Sequence, residues 1–401
     1  MSSENNKKNS KANSVILAIV LVLVIAVAAA IFVVAKIQNV KETPAPTPTP
    51  AATPVQPTPE PTISPEKLKR QEEAALAEAA AKEAEAAQYS FYQKLANGYD
   101  TDILVLGDAF AAAADYSALS SHLTEKYLSA VGSAVNVTVL ANDRGNLLCD
   151  VLRINEMPDK PDYDLAILCY GFNDRGDDVL FNFESVIVAL QAKFPDCSIV
   201  CTVEPSSHAI TKELQAMIDV CASYHIPVVN LFSDFYDKGV DAYFDYFDAT
   251  EVYLSDKGEQ EWNKLLCDLI DENVQESTGK MEDRPLITRK AEEMVKLRFI
   301  PVDDARVSRK NDTSYFVDVK AKGASYILHK QDIGGEDVKV IADDILYRFG
   351  KPRGTMTPDE SYIIPIYEEF SCENGFTVEF SGKDLADALE GFYLIEDVPE
   401  T

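Results

Sequence analysis

Polar and ionisable residues gather in this chain where short apolar runs end. Gly107-Asp108 closes TDILVLGD, Asn142-Asp143 closes NVTVLAND, and Gly171-Phe172-Asn173-Asp174 follows YDLAILCYG. Glu204-Pro205-Ser206-Ser207-His208 follows CSIVCTV, and Phe232-Ser233-Asp234 follows IPVVNL. Carboxylates, amides and an imidazole are the groups that move protons or hold developing negative charge. Ser206 or Ser207 beside His208 supplies the materials of a nucleophile and base, although adjacency in sequence does not aim one at the other. Glu204 with His208, and Glu251 beside Tyr253, are further acid–base or metal pairs by type. The plainer reading is that His208 caps the next helix or faces solvent, and that Asp108 and Asp174 cap helices or brace loops. His122 sits in a helical stretch, His225 precedes a strand, and His329 lies on a strand among polar neighbours and reads as surface. The seven cysteines contain no CxxC pair and no metal-ligand spacing, and four histidines leave little for a metal site. Cys169, Cys197, Cys201, Cys221 and Cys267 read as small buried hydrophobes with free thiols, Cys169 lying nearest the loops above. The expectation is no cofactor and no metal.

The elements that must position these loops are legible from pattern. Between 97 and 278 fully apolar strand-length runs alternate with helical stretches such as ESVIVALQAKF and TKELQAMIDVCASYH. That alternation predicts an α/β domain with a mostly parallel sheet covered on both faces, whose site lies at the carboxyl ends of the strands. From 279 to 401 the runs TSYFVDVKA, SYILHKQ, DVKVIADDILYRFG, SYIIPIYEEF and FTVEFSG predict a small β-rich or α+β domain, with antiparallel strands and one wet face. TSYFVDVKAKG and ASYILHKQ are expected to form a hairpin turning at Lys322-Gly323.

Ahead of these lies a different kind of sequence. Residues 1–14 read as a cytoplasmic tail. Val15 to Ala35 carry no charge, and 21 such residues span a hydrocarbon core of about 30 Å, so a transmembrane anchor is expected. Lys7, Lys8 and Lys11 on its N-terminal side favour that end inside and the body outside the cell. The 36–65 segment is a Pro/Thr-rich stalk in extended conformation. The 66–96 segment, rich in Ala, Glu and Lys, reads as one long helix. A formal charge of -29 excludes a nucleic-acid partner, because phosphate backbones need a basic surface. Hydrophobic residues at 46% support a packed core.

The order LVLGDA, CYGFND, YLSDKGEQEW resembles the SGNH/GDSL hydrolases over roughly residues 99–275. The resemblance implies a flavodoxin-like αβα fold and an ester hydrolase ancestry that includes carbohydrate and peptidoglycan O-acetyl esterases. It also implies where the chemistry should be, and there the chain departs. Ala109 stands at the nucleophile position, Thr250 at the aspartate position and Tyr253 at the histidine position. A methyl group has no nucleophilic oxygen, and tyrosine, with a pKa near 10, is a poor base at neutral pH. Asn173 and, more loosely, Gly145 match oxyanion-hole positions. His208, Asp248 and Glu251 are the residues that remain as substitutes.

The expectation from sequence is therefore a membrane-anchored, extracytoplasmic, SGNH-like protein, catalytically degenerate. It would bind a cell-wall or surface polysaccharide, an acylated polymer or an envelope protein through the former cleft. Two alternatives stay open. One is an active O-acyl esterase or acyltransferase with relocated catalytic residues; the other is a structural surface module.

Overall fold

The computed structural model describes residues 65–397, apart from 129–133, 159–161, 172, 175, 177, 204–210, 240–243, 249–252, 277–285, 289, 335 and 349–354. The chain divides into two units, Met1–Gln71 and Glu72–Thr401. Of the first, only the opening turns of helix α1 (Pro65–Ala86) are described.

In chain order the second unit continues with α2 (Phe91–Ala96), β1 (Thr101–Gly107), α3 (Ala109–Ala113), α4 (Ser117–Tyr127), β2 (Val135–Val139) and α5 (Leu147–Glu156). Then come β3 (Leu165–Tyr170), α6 (Val179–Lys193), β4 (Ser198–Val203), α7 (Lys212–Tyr224), β5 (Val228–Asn230), α8 (Leu231–Tyr236) and α9 (Asp256–Glu276). The helix expected over 66–96 is two helices. Ser90 interrupts it by accepting the Gln93 N–H while the Gln93 side chain accepts the Ser90 N–H at 3.0 Å. That reciprocal cap starts α2 afresh.

β1 to β5 form a five-stranded sheet in the order 2-1-3-4-5, every pairing parallel. The two-residue period of a strand divides its side chains between two apolar layers. Leu104, Leu106, Ala166, Leu168, Ile199 and Cys201 face a layer that includes residues of α5, α6 and α7. Ile103, Val105, Leu165, Ile167, Cys169 and Val200 face one that includes residues of α2, α3, α4 and α9. Each Leu, Ile or Val among them taken wholly from water contributes about 1.5–3 kcal/mol, so the strands are held on both faces. In α9, Trp262, Leu266 and Ile270 recur every four residues on the buried side, and Phe110 and Tyr116 pack their rings against Trp262.

The anchor expected ahead of this sheet is corrected. No helix among the described residues is long and apolar enough to cross a membrane. The helix that precedes the sheet domain, α1, is rich in Glu and Lys. Residues 15–35 and the stalk to 64, on which the expectation rested, lie outside the described residues. The single-pass topology, the cytoplasmic N-terminus, the extracellular placement and the membrane as a partner are accordingly not carried further.

Past α10 (Ala291–Met294) the chain is β: β6 (Arg298–Pro301), β7 (Val307–Asn311), β8 (Ser314–Val317), β9 (Ala321–His329), β10 (Val338–Ala342) and β11 (Ile345–Arg348). β12 (Thr355–Met356), β13 (Tyr362–Cys372), β14 (Phe376–Phe380), helix α11 (Lys383–Asp387) and β15 (Leu389–Glu396) complete it. Two antiparallel sheets, ordered 11-10-14-8-7 and 12-13-9-15-6, enclose one apolar cluster that includes Phe370, Phe376 and Phe392. This is a β-sandwich. The hairpin expected at Lys322-Gly323 does not exist: β8 pairs with β7 and β14, and β9 with β13 and β15. Gly323 instead lies within β9 at φ +107°, opposite Phe370, where the register of the β9–β13 ladder slips. Only glycine adopts that backbone angle cheaply, so the residue marks a bulge rather than a turn.

The sheet containing β9 has no wet face over much of its area. Ile327, Ile364 and Phe392 point into the sandwich, while Leu328, Ile363 and Tyr393 join the apolar layer over α5 and α6. Glu184, fully buried on α6, adds a polar tie to the segment ahead of α10. Its carboxylate accepts from the Tyr224 hydroxyl at 2.6 Å, from the backbone N–H groups of Ile287 and Thr288 at 2.5 and 2.7 Å, and from the Thr288 hydroxyl. His329, read from sequence as surface, is wholly buried. Its Nε2 meets the Leu385 carbonyl at 2.8 Å and its Nδ1 accepts the Gln331 N–H at 3.0 Å.

Candidate functional site

In a sheet ordered 2-1-3-4-5 the connections leave β1 and β3 in opposite directions, which opens a crevice at their carboxyl ends. Three loops meet there: Asp108-Ala109 after β1, residues 142–146 after β2, and Gly171 to Asp174 after β3. Glycine is required where they touch. A Cβ on Gly107 would sit 2.2 Å from the Cys169 carbonyl oxygen, and one on Gly145 would sit 2.3 Å from the Gly107 carbonyl oxygen.

Asp108 is the hub. It is fully buried, and one carboxylate oxygen accepts the Phe110 N–H at 3.3 Å, capping α3. The other accepts the Asn173 N–H at 3.0 Å, joining the first and third loops. Ala109 follows as the first residue of α3 and is buried. The Asn173 side chain ties the third loop to the second. Its amide nitrogen donates to the Asp143 carbonyl at 2.9 Å and to the Gly145 carbonyl at 2.8 Å, which uses both of its hydrogens. The Gly145 N–H closes a turn onto the Asn142 carbonyl at 2.7 Å. In this geometry both oxyanion candidates hold loop shape. Asn173→Ala should therefore lower stability by about 1–3 kcal/mol, readable from urea unfolding, because two backbone carbonyls lose their donor.

Behind the loops, α5 begins under two polar caps. Asn146 accepts the Cys149 N–H at 3.1 Å, and Asp174 accepts the Leu147 N–H at 3.1 Å. One turn on, Asp150 is wholly buried. It accepts the Tyr170 hydroxyl at 2.6 Å and lies 3.3 Å from Nη1 of Arg153, an ion-pair distance without hydrogen-bond geometry. Burial raises its carboxyl to about 6, outweighing Arg153 and Tyr170, which act the other way. Neither Asp150 nor Asn146 was apparent as a site residue. The signal was an Asn immediately ahead of an amphipathic run, with an Asp on its apolar side.

The stretch before α9 carries Asp248 and Tyr253. The Asp248 N–H donates to the Tyr253 carbonyl at 2.9 Å, and Phe247 bridges to Leu254, so the loop between them is pinched at its base. Ser255 accepts the Gly258 N–H at 3.2 Å and donates to the Asp245 carbonyl at 2.7 Å, fixing the entry to α9. Tyr253 is half-buried. Thr250, Glu251, Glu204, Ser206, Ser207 and His208 lie outside the described residues. All seven cysteines are buried, and burial pushes Cys149, the one in α5, up to about 12, so it is an inert thiol at neutral pH. His122 is away from this edge, on α4, with Nε2 3.0 Å from Asp271 of α9. His225 takes the left-handed position that ends α7. No group of three or more metal-binding side chains occurs among the described residues.

The sandwich also reaches this region. The hairpin joining β12 to β13 leans on the second loop: Arg144 pairs with Glu360 at 3.1 Å, and the Asn146 amide lies 3.5 Å from the Met356 carbonyl.

No protein-family model matches the chain, and no curated relative matches it in sequence. Solved structures do match in fold. One is the crystal structure of a two-domain esterase active on acetylated mannans, co-crystallised with mannopentaose. At 13% identity it covers 76% of this chain and 91% of its own, with a TM-score of 0.52. A second structure of a two-domain esterase active on acetylated mannans gives 12% identity, 76% and 92% coverage, and a TM-score of 0.53. A GDSL-like lipase from Parabacteroides merdae is matched over 46% of this chain and 99% of its own, at 13% identity and a TM-score of 0.34. In fold, the chain is thus similar to the two-domain esterase structures.

Proposed function

We propose that this chain acts on O-acylated carbohydrate, as an esterase or acyltransferase whose catalytic groups have moved away from Ala109. The observation that carries the reading is architectural. An α/β domain followed by a β-sandwich aligns over three quarters of the chain with an esterase described as active on acetylated mannans. Membership of the SGNH/GDSL family belongs to the same proposal. It is supported by Gly107-Asp108 and Asn173-Asp174 lying at the ends of β1 and β3 in the family's order.

Since Ala109 supplies no oxygen, the attacking group is water or the hydroxyl of Ser206 or Ser207, which follow β4 in sequence. His208 takes its proton, with Asp248 or Glu251 as the partner of the imidazole. The proton passes to the sugar oxygen as the ester C–O bond breaks, leaving a free sugar hydroxyl and either acetate, where water attacks, or an acyl-serine, which water then cleaves to acetate or an acceptor hydroxyl takes up, regenerating the serine. Asn173 and Gly145 keep the wall of the crevice in shape beside Asp108.

The test is acetate release from acetylated mannan by the full chain, beside His208→Ala. The expected result is release by the parent and its loss in the variant. Release unchanged in His208→Ala would remove the assigned base. Saturable binding of acetylated mannan without any release would overturn the catalytic reading.

A further inference from the structure

A cavity of about 400 Å³ opens between α5 and the sandwich. Its volume falls in the range of about 300–1,000 Å³ typical of small-molecule sites. Leu152, Met157, Leu328 and Ile363 supply apolar wall, and three carboxylates, Glu156, Asp359 and Glu390, surround Tyr393. Burial, and after it the charges of Glu156, Cys149, Glu390 and Asp359, push the Tyr393 phenol up to about 12, so it stays a neutral ring and hydroxyl.

The charges do not cancel. One guanidinium, that of Arg153, lines the cavity, and its Nη1 donates to the Leu140 carbonyl and lies against Asp150, both outside the lining. Glu156 accepts the Phe299 N–H at 3.2 Å with one oxygen, and Glu390 accepts the Ser361 hydroxyl with one oxygen. Glu156 and Glu390 thus keep hydrogen-bond acceptors to spare at the cavity, Glu390 half-buried and Glu156 and Asp359 exposed at its rim. An anion is repelled there, and a neutral polyol leaves the excess charge unanswered. An ammonium group answers it, placed near the carboxylates and beside the Tyr393 ring.

We propose that this cavity binds a pyranose unit carrying a free amine, the ammonium held by Glu156, Glu390 and Asp359 and the ring resting against Tyr393. Its lining includes none of Asp108, Ala109, Gly145 or Asn173, although Thr357 to Asp359 belong to the hairpin that leans on the second loop. The sugar part of the proposal rests on the carbohydrate reading above; the amine part rests on the cavity.

The test is calorimetric titration of the full chain with a glucosamine trimer, an N-acetylglucosamine trimer and mannotriose. The glucosamine trimer should bind at least about tenfold more tightly than either neutral trimer, and added salt should weaken it. Asp359→Asn, a change at an exposed position, and Glu390→Gln should each weaken it several-fold without altering the circular-dichroism melt by more than a few degrees. Equal affinity for the N-acetylated trimer overturns the proposal. So does unchanged affinity in both variants, or an absence of binding. The two proposals fail separately: amine binding without acetate release removes only the catalytic reading, and acetate release without amine binding removes only this one.

Discussion

Replacing Glu184 by alanine should lower the free energy of unfolding by about 3 kcal/mol, the sum of the donors it would strand in the interior. The carboxylate is wholly buried on α6 and is the shared acceptor of four groups. They do not suffer equally from its loss. The side chain of Ile287 is exposed and that of Thr288 half-buried, so water reaches part of that segment. The Tyr224 hydroxyl belongs to a fully buried side chain and has no such recourse. Most of the penalty therefore falls on Tyr224, and Glu184→Gln, which retains one oxygen toward it, should cost less than half as much. The segment at 286–288 leads into the sandwich, so the same change should loosen the sandwich before the parallel sheet. Hydrogen exchange of residues 286–300 would rise more than that of β1 or β3. A loss below about 1 kcal/mol in urea unfolding would contradict this account of Glu184.

The second large effect has the opposite sign. Asp150→Asn should stabilise the protein at pH 7.5. Burial raises the folded-state carboxyl from an ordinary 3.8 to about 6. At 1.36 kcal/mol per pH unit that gap corresponds to about 3 kcal/mol. The raised value means that the fold favours the protonated form. Its contribution is fully present below pH 3.8, is lost as pH rises through 6, and stays lost above. Asparagine keeps the acceptor for Tyr170 and carries no charge. The variant and the parent should therefore differ little near pH 4 and by up to about 3 kcal/mol, in favour of the variant, above pH 7. Taking the difference matters, because Asp271, held low by Lys126, Tyr127 and His122, makes the parent lose stability as pH falls. A variant less stable than the parent at pH 7.5 would show that the Arg153 contact outweighs desolvation.

Asp150 also marks where reading the sequence stops. The parallel sheet was legible because its strands are buried on both faces, and continuous runs such as ILVL and LAIL have no other use in a helix-flanked sheet. The carboxyl-end loops were legible for the same reason, since each apolar run must end somewhere and the polar residues begin there. The bonds inside those loops were not. That Asn173 spends its amide on the carbonyls of Asp143 and Gly145 depends on a juxtaposition of β2 and β3 ends, which no local pattern carries. The sandwich misled in two places. TSYFVDVKAKG and ASYILHKQ look like a hairpin because Lys-Gly is good turn chemistry, yet β8 and β9 belong to different sheets and Gly323 serves a bulge. Alternation suggested a wet face, but SYILH and GFYLIE bury both of theirs, one in the sandwich and one over α5 and α6. His329 went the same way: its polar neighbours in sequence say nothing of the Leu385 carbonyl that receives it. The cavity beside Tyr393 draws its walls from α5, β9, β13 and β15, so nothing in any one stretch announced it.

The reading of Val15 to Ala35 as an anchor rested on hydropathy alone, and the described helices give it no support. What remains of the functional account is the proposal carried by the two-module architecture. The most direct measurement is acetate release from acetylated mannan by the full chain, with His208→Ala and Ala109→Ser alongside. The account predicts release by the parent, its loss in His208→Ala, and no need for a serine at position 109. No release by the parent, or release that appears only in Ala109→Ser, would contradict it.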